Sequence, residues 1–273
     1  MKKTIGIIGY GNMGAAIALR AKSEFDITVF DKDNQKLSQA IGVKVASDLK
    51  DLLNKSEVVI LAIKPQDFVV ALTEIKDNVK DKLIISIAAG KRTKDIEDIL
   101  GAVRVIRVMP NIAAIVGKSV SYICRGTFAT ESDWNLAAKV FDLIGHTFII
   151  SEDLMHAATA VGGSGPGFWG YLADKVTENE RAKYESESFI PELTNAAVKI
   201  GLDKEMASLS AEFVVRGSSV TASALKITPL ELAGRVASKR GTTEAGLEIL
   251  KNGGTLTEAV EAAARRSEEL SKE

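Results

Sequence analysis

The stretch GYGNMG at residues 9–14 decides the fold class of this 273-residue chain. It directly follows the short apolar run Thr4–Ile8 and precedes Ala15–Arg20, a run that favours helix. A strand, a glycine-rich turn and a helix in this order are typical of the first unit of a dinucleotide-binding sheet. The stretch therefore predicts an α/β protein that binds a dinucleotide.

Each residue of the turn has a predicted role. Gly9 suits the tight turn, Gly11 lets the backbone approach a pyrophosphate, and Gly14 lets the helix pack closely on the strand. The helix N-terminus, which includes Asn12 and Met13, is expected to face the phosphates because its N–H groups and dipole favour anions.

Short apolar runs alternate with charged, helix-like stretches through the first half of the chain. Such runs are apolar on both faces, as expected of strands buried in a parallel sheet between helices. A doubly wound Rossmann sheet is therefore predicted. After the first strand its predicted strands are Ile27–Phe30, Val58–Ile63, Leu83–Ile87, Val103–Val108, Val120–Cys124 and Thr147–Ile150.

The second half of the chain is predicted to be helical. Strand-like runs end near Ser151, and alanine, leucine and glutamate then dominate. Asp203 and Thr228 stand where helix N-caps belong, and Thr257–Leu270 has the pattern of an amphipathic helix. The chain is accordingly divided into a dinucleotide-binding domain, residues 1–153, and an all-helical domain, residues 154–273.

Composition excludes several classes of partner and site. The 35 basic and 36 acidic residues give a formal charge of −1, which provides no field to attract nucleic acid or anionic lipid. No apolar stretch approaches the length that spans a bilayer. Cys124 is the single cysteine, so neither an internal disulfide nor a cysteine-based metal site is expected, and a cytoplasmic location is predicted.

Asp31 follows the second predicted strand, about twenty residues after the glycines, where an acid accepts hydrogen bonds from the adenosine ribose. A carboxylate there repels a 2′-phosphate, so NADH is favoured, with NADPH as the alternative because Lys32 is adjacent. Another interpretation is that Asp31 only caps the next helix.

The third and fourth predicted strands end in small or turn-forming residues. Ala62, Lys64 and Pro65 follow one strand, and Ala88 and Ala89 follow the other. Ligands of open α/β sheets bind at the carboxyl ends of the strands, so these residues are predicted to line the nicotinamide site. Lys64 is equally well explained as a solvated lysine.

Six motifs span most of the chain: GYGNMG at 9–14, LAIKPQ at 61–66, SIAAG at 86–90, RVMPN at 107–111, GGSGP at 162–166 and RGTT at 240–243. Taken together and in this order, they resemble the motifs of the pyrroline-5-carboxylate reductase family. The resemblance implies an N-terminal Rossmann domain, a C-terminal helical domain that forms a homodimer or larger assembly, and reduction of the C=N bond of 1-pyrroline-5-carboxylate to give L-proline.

The resemblance also implies a substrate site near the end of the chain. Ser238, Gly241, Thr242 and Thr243 match the segment that holds the cyclic imine in that family. The resemblance makes Thr243 the hydrogen-bonding partner of the ring nitrogen of the substrate, and it makes Ser238 and Thr242 ligands of the substrate carboxylate. From the residues alone, each could equally be a helix cap. Both histidines are interpreted as structural: His146 is expected to precede a strand and His156 to lie on an apolar helix.

Some residues depart from the family pattern. Arg235, Lys239 and Arg240 replace residues that are usually uncharged, which leaves open two alternatives: a reductase of another cyclic imine, and a catalytically inactive NAD-binding regulator. The chain also carries an extra, highly charged segment around residues 174–188, which is interpreted as a solvated extension or loop; altered dimer contacts or a cover over the pocket are the alternatives.

Overall fold

A computed structural model describes residues 2–272, and their contacts divide the chain into two compact units. The first unit runs to Val108 and resumes over Ile123–Glu152. The second comprises Met109–Tyr122 and the chain from Asp153 onward. Residues 109–122, which the sequence analysis assigned to the first domain, therefore group with the second unit. The division into domains at residues 153 and 154 remains a prediction.

Eight strands form one sheet. In chain order they are β1 (Thr4–Ile8), β2 (Asp26–Phe30), β3 (Lys44–Val45), β4 (Val58–Leu61), β5 (Leu83–Ser86), β6 (Arg104–Met109), β7 (Ser119–Arg125) and β8 (Gly145–Ile149). Their order across the sheet is β3-β2-β1-β4-β5-β6-β7-β8, and the pairs from β3 to β6 are parallel.

The strand order reverses between β1 and β4. From β1 the chain proceeds to β2 and β3 on one side, and it then crosses back to place β4 on the other side of β1. Such a switch point leaves a crevice at the carboxyl ends of the two strands. The predicted doubly wound sheet is confirmed, and its crevice lies where β1 ends in the glycine turn.

The predicted strands are all present, with ends that differ by one or two residues. The prediction that His146 precedes a strand is wrong, because β8 already begins at Gly145. The sequence analysis also missed β3, because its two residues, Lys44 and Val45, are both exposed and form no apolar run.

Six helices belong to the first unit: α1 (Asn12–Ala21), α2 (Asn34–Leu37), α3 (Leu49–Asn54), α4 (Phe68–Ile75), α5 (Thr93–Leu100) and α6 (Glu131–Asp142). Their apolar faces bury side chains against the strands, which are themselves apolar on both faces. In one such cluster Leu52, Phe68 and Leu72 from the helices pack with Leu61 and Ile84 from the strands. This burial holds the strand ends and the glycine turn in place.

The second unit is built from eight helices: α7 (Met155–Ala158), α8 (Gly165–Ala173), α9 (Glu178–Tyr184), α10 (Ile190–Lys199), α11 (Lys204–Leu225), α12 (Pro229–Val236), α13 (Thr242–Lys251) and α14 (Leu256–Leu270). Helix α13 packs along α14, and α8 packs on α12. The segment between β6 and β7 groups with this unit because its 3₁₀ turn, Ile112–Val116, packs on α11. Gly217 of α11 permits this approach, since a Cβ there would lie 2.8 Å from the Lys118 carbonyl oxygen.

The predicted helix signals of this half are present. Asp203 accepts from the Met206 N–H as the N-cap of α11, and Thr228 accepts from the Glu231 N–H as that of α12. The predicted C-terminal helix begins one residue earlier than expected, after the N-cap Thr255. No helix within residues 2–272 has the length and apolarity that spanning a membrane requires.

The extra charged segment is helical rather than a loop. Helix α9 is followed by a π-helical turn, Glu185–Phe189. Its carboxylates and amines are largely exposed, but the Trp169 indole N–H donates to Glu185 Oε1 at 2.8 Å and Phe189 is fully buried. The hydrogen bond from Trp169 thus anchors the segment to α8, and the buried Phe189 ring lies at its end.

Candidate functional site

The glycine turn at the end of β1 requires two of its glycines for steric reasons. Gly9 has φ +98°, and a Cβ there would collide with the carbonyl of Ala62 at the end of β4. A Cβ at Gly14 would collide with the Gly9 carbonyl. The turn therefore packs against both the neighbouring strand and its own helix, as the sequence predicts.

Gly11 has the opposite surroundings, because a Cβ built on it would meet no atom within 4 Å. Its φ of −80° is open to any residue, so neither packing nor backbone strain requires glycine there. Gly11 is also the N-cap of α1 and offers no side-chain cap to the N–H groups of the first turn. Open space beside free N–H donors fits the pyrophosphate of a dinucleotide.

A cleft of about 710 Å³ opens at this turn. It brings together five of the predicted cofactor residues: Gly9, Gly11, Asp31, Ala62 and Lys64. Sequence reasoning missed several other lining residues because they come from helices that follow later strands: Lys36, Leu49, Asp67, Val70, Ala71 and Glu74.

Asp31 lines this cleft and is buried, with 7% of its surface exposed. Its carboxylate accepts from the Tyr10 N–H at 2.7 Å, from the Asp33 N–H at 2.9 Å and from Lys36 Nζ at 3.3 Å. Burial alone would raise the pKa of Asp31, but these hydrogen bonds and the Lys36 charge together lower it below its ordinary value. Asp31 is therefore an anion.

The interpretation of Asp31 as a helix cap is wrong. The residue that caps α2 is Asp33, whose side chain accepts from the Gln35 N–H. Asp31 instead ties the end of β2 to the glycine turn through Tyr10.

Two lysines of the cleft are each paired with a carboxylate. Lys36 lies beside Asp31, and Lys32 Nζ lies 2.6 Å from Asp67 Oδ1. The pairing with Asp67 raises the pKa of Lys32, so it stays charged. Lys32 and Lys36 are thus both already opposed by an acid.

The other predicted cofactor residues do not line this cleft. Asn12, Met13 and Gly14 lie in the first turn of α1, and Pro65 begins a 3₁₀ turn, Pro65–Asp67. At the end of β5 the Ala88 side chain is buried in the core cluster, whereas Ala89 is exposed. The contact of all these residues with a cofactor remains a prediction.

The predicted substrate residues meet at the start of α13. Gly241 is its N-cap, and Thr242 and Thr243 are its first two residues. Their hydroxyls lie 2.9 and 3.1 Å from Ser164 Oγ, which is fully buried. Ser238 is exposed, and its carbonyl accepts from the Gly241 N–H at 2.9 Å. Sequence reasoning quoted Ser164 within a motif but gave it no role.

The residues that depart from the family pattern are exposed beside this site. Arg235, Lys239 and Arg240 all have exposed side chains. Arg240 has φ +58°, and its N–H donates to Glu244 Oε2 at 2.6 Å, so a backbone hydrogen bond stabilises its left-handed conformation.

The histidines do not contribute to either cluster. His156 Nδ1 lies 3.0 Å from Ser267 Oγ, which joins α7 to α14, and the His146 ring packs edge-on against Phe148. Within the described residues, no three His, Cys, Asp or Glu side chains are grouped to hold a metal ion.

The switch-point cleft, the glycine turn and the anionic Asp31 define a Rossmann-type oxidoreductase that binds a nicotinamide dinucleotide. A pyrroline-5-carboxylate reductase of Pisum sativum is 36% identical over 281 residues, which cover 98% of this chain and 96% of the relative. The chain belongs to the pyrroline-5-carboxylate reductase family.

Family models and solved structures agree with this membership. Residues 4–90 match a model described as NADP oxidoreductase, coenzyme F420-dependent, and residues 187–270 match pyrroline-5-carboxylate reductase dimerisation. The pyrroline-5-carboxylate reductase of Coxiella burnetii has a TM-score of 0.67 at 30% identity and covers all of both chains. A Plasmodium falciparum pyrroline carboxylate reductase, solved with NADP bound, has a TM-score of 0.61 at 26% identity and covers 98% of each chain.

Proposed function

We propose that this chain reduces the C=N bond of 1-pyrroline-5-carboxylate to give L-proline, with a reduced nicotinamide dinucleotide as hydride donor. The observation that carries the proposal is the cluster of Ser164, Thr242 and Thr243 hydroxyls at the start of α13, in a chain of this family. Such a cluster offers hydrogen bonds to a small polar ring and brings no acid or metal.

The reaction requires the protein mainly to bind and orient the substrate. A bound reduced nicotinamide supplies a hydride that forms a C–H bond at C5 of the protonated imine, while the C=N π electrons become the lone pair of the product amine. The chain's own task is to hold the ring, so binding and orientation carry the catalysis. We assign the ring nitrogen to Thr243, and the carboxylate to Ser238, Thr242 and the Gly241 backbone.

NADH is the proposed cofactor, with NADPH as a poorer alternative. Asp31 is anionic and lines the cleft at the end of β2, where it would accept from ribose hydroxyls and repel a 2′-phosphate. Lys32 and Lys36 could oppose that repulsion only after leaving Asp67 and Asp31.

The cofactor proposal predicts a change in preference when Lys32 is released. The wild-type kcat/KM with NADH should exceed that with NADPH. In Asp67→Asn the loss of the ion pair frees Lys32 for a 2′-phosphate, and the NADPH-to-NADH ratio of kcat/KM should rise about fivefold. The control is Asp98→Asn, which breaks the exposed pair with Lys94 and should leave the ratio unchanged. A wild-type preference for NADPH would refute the proposal.

A homodimer or larger homo-oligomer is proposed from the dimerisation model matched by residues 187–270. A small cyclic imine is the proposed partner molecule, and the near-zero net charge gives no support to nucleic-acid binding. A cytoplasmic location remains a prediction from composition.

The test of the proposed activity follows the loss of nicotinamide absorbance when protein, NADH and 1-pyrroline-5-carboxylate are mixed. Turnover with proline as product is expected. Steady-state kinetics on a series of substituted cyclic imines, including more acidic ones, then ranks the substrates. A markedly higher kcat/KM on another imine would favour the alternative drawn from Arg235, Lys239 and Arg240. Cofactor binding without turnover of any imine would favour the regulator.

A further inference from the structure

Ser164 links the two threonines of the substrate cluster, but the function proposed above assigns it no contact with the substrate. It follows a π-helical turn, Thr159–Gly163, and its side chain is fully buried. Its Oγ lies within hydrogen-bond distance of both the Thr242 and the Thr243 hydroxyls.

The hydrogen bond between Thr243 and Ser164 has a direction. Thr243 Oγ1 donates to Ser164 Oγ. A hydroxyl has one proton and two lone pairs, so a threonine that donates to a protein group meets any ligand with its lone pairs. Thr243 is thereby an acceptor toward the substrate.

The Thr243 side chain is also fixed by packing. Its methyl group Cγ2 lies against Gly167, where an added Cβ would collide with it. Threonine is β-branched and has few accessible χ1 rotamers. Contact of the methyl with Gly167 and of the hydroxyl with Ser164 therefore selects one rotamer, and 4% of Thr243 is exposed.

The positive charge of the reacting imine explains why the direction of this hydrogen bond matters. The imine must be protonated before it accepts a hydride, and the protonated ring nitrogen is a hydrogen-bond donor. An acceptor opposite it stabilises the protonated form, whereas a donor in the same place would oppose it.

We propose that Ser164 is a positioning residue. It accepts a hydrogen bond from the Thr243 hydroxyl, so that Thr243 in turn accepts a hydrogen bond from the protonated ring nitrogen of the substrate. This inference rests on the proposed function. Because Ser164 already accepts a hydrogen bond from Thr243, its own hydroxyl proton is available to donate to Thr242. Thr242 in turn keeps its proton for the substrate carboxylate, so one buried serine sets opposite roles for two adjacent threonines.

The test begins with Ser164→Ala and a matched control. Ser164→Ala should lower kcat about tenfold, because Thr243 becomes free to point its proton at the iminium nitrogen. The KM for the cofactor should stay within about twofold. The control is Ser218→Ala, a fully buried serine on α11 whose Oγ has no hydrogen-bond partner within residues 2–272, and it should leave kcat unchanged.

The pH profile separates positioning from a merely structural effect. With Thr243 as acceptor, the bound imine holds its proton to higher pH, and kcat falls as that proton is lost. In Ser164→Ala the alkaline limb of kcat should move to lower pH. A limb that does not move would overturn the inference, because a packing defect would lower kcat without changing which form of the imine is bound.

A double-mutant cycle completes the test. In a Thr243→Val background Ser164→Ala should cause no further loss of kcat, since Ser164 affects the ring nitrogen only through the Thr243 hydroxyl; a loss through Thr242, which holds the carboxylate, should appear in the KM for the imine. Losses that multiply would overturn the inference. If Thr243→Val lowers kcat and Ser164→Ala does not, this inference alone fails. If Thr243→Val is fully active, the assignment of the ring nitrogen to Thr243 fails together with this inference, whereas the proposed function fails only if the wild type reduces no imine.

Discussion

Thr243→Val is expected to lower kcat for 1-pyrroline-5-carboxylate about 30-fold. Valine keeps the β-branched shape and the methyl that lies on Gly167, so the start of α13 should keep its packing. The variant removes the hydroxyl that faces the ring nitrogen. A hydrogen bond to a charged group contributes about 2 kcal/mol, which corresponds to about 30-fold in rate.

The measurement is steady-state kinetics at saturating cofactor, together with the thermal midpoint. Thr194→Val is the matched control, because Thr194 Oγ1 on α10 is buried without a hydrogen-bond partner among the residues that the structure describes. That control should keep the wild-type kcat. The KM for NADH should be unchanged in both variants, because the cofactor residues belong to the first unit. Turnover of Thr243→Val close to wild type would remove Thr243 from the site.

Much of the fold is predictable from the sequence because its signals are local. Buried parallel strands are apolar on both faces, so runs such as Val58–Leu61 are visible without knowledge of their neighbours. Capping residues such as Asp203 and Thr228 mark helix starts for the same reason. Strand β3 lacks such a signal, because its two residues are exposed and form no apolar run. Helix α9 has the N-cap Thr177 but buries none of its residues, so no apolar stripe marks it as a helix.

The candidate site also has a part that local motifs predict and a part that depends on residues distant in the sequence. The roles of Gly9 and Gly14 follow from a motif within one turn, and the structure gives each a steric cause. The lysine and carboxylate pairs of the cleft, such as Lys32 with Asp67, join residues 35 positions apart and are visible only in three dimensions. Ser164 is the clearest case: its hydroxyl partner Thr243 is 79 positions away, so no spacing rule reveals it.

An ion pair of the first unit has a buried cation. Arg107 of β6 has 3% of its side chain exposed, and its Nη1 lies 3.2 Å from Glu152 Oε1. The same carboxylate accepts from the Thr93 N–H at 2.9 Å and from Thr93 Oγ1 at 2.6 Å, at the first residue of α5. Glu152 is less buried, with 27% of its side chain exposed.

Because Arg107 is more deeply buried than Glu152, we expect substitution of the two residues to lower the free energy of unfolding by different amounts. Glu152→Ala leaves a buried guanidinium without its carboxylate and should lower the free energy of unfolding by about 3 kcal/mol or more. Arg107→Met should cost about 1 kcal/mol, since it replaces a buried charge with an apolar chain and leaves Glu152 with solvent and Thr93.

Urea denaturation at one fixed protein concentration gives these differences, and the double variant provides the decisive comparison. Arg107→Met combined with Glu152→Ala should be more stable than Glu152→Ala alone, because the second change removes the unpaired charge. If the two single variants lose equal stability, or the double variant is the least stable of the three, then the pair stabilises the unit through its attraction. In that case the free-energy cost of an unpaired buried cation does not determine the stability of this part of the sheet.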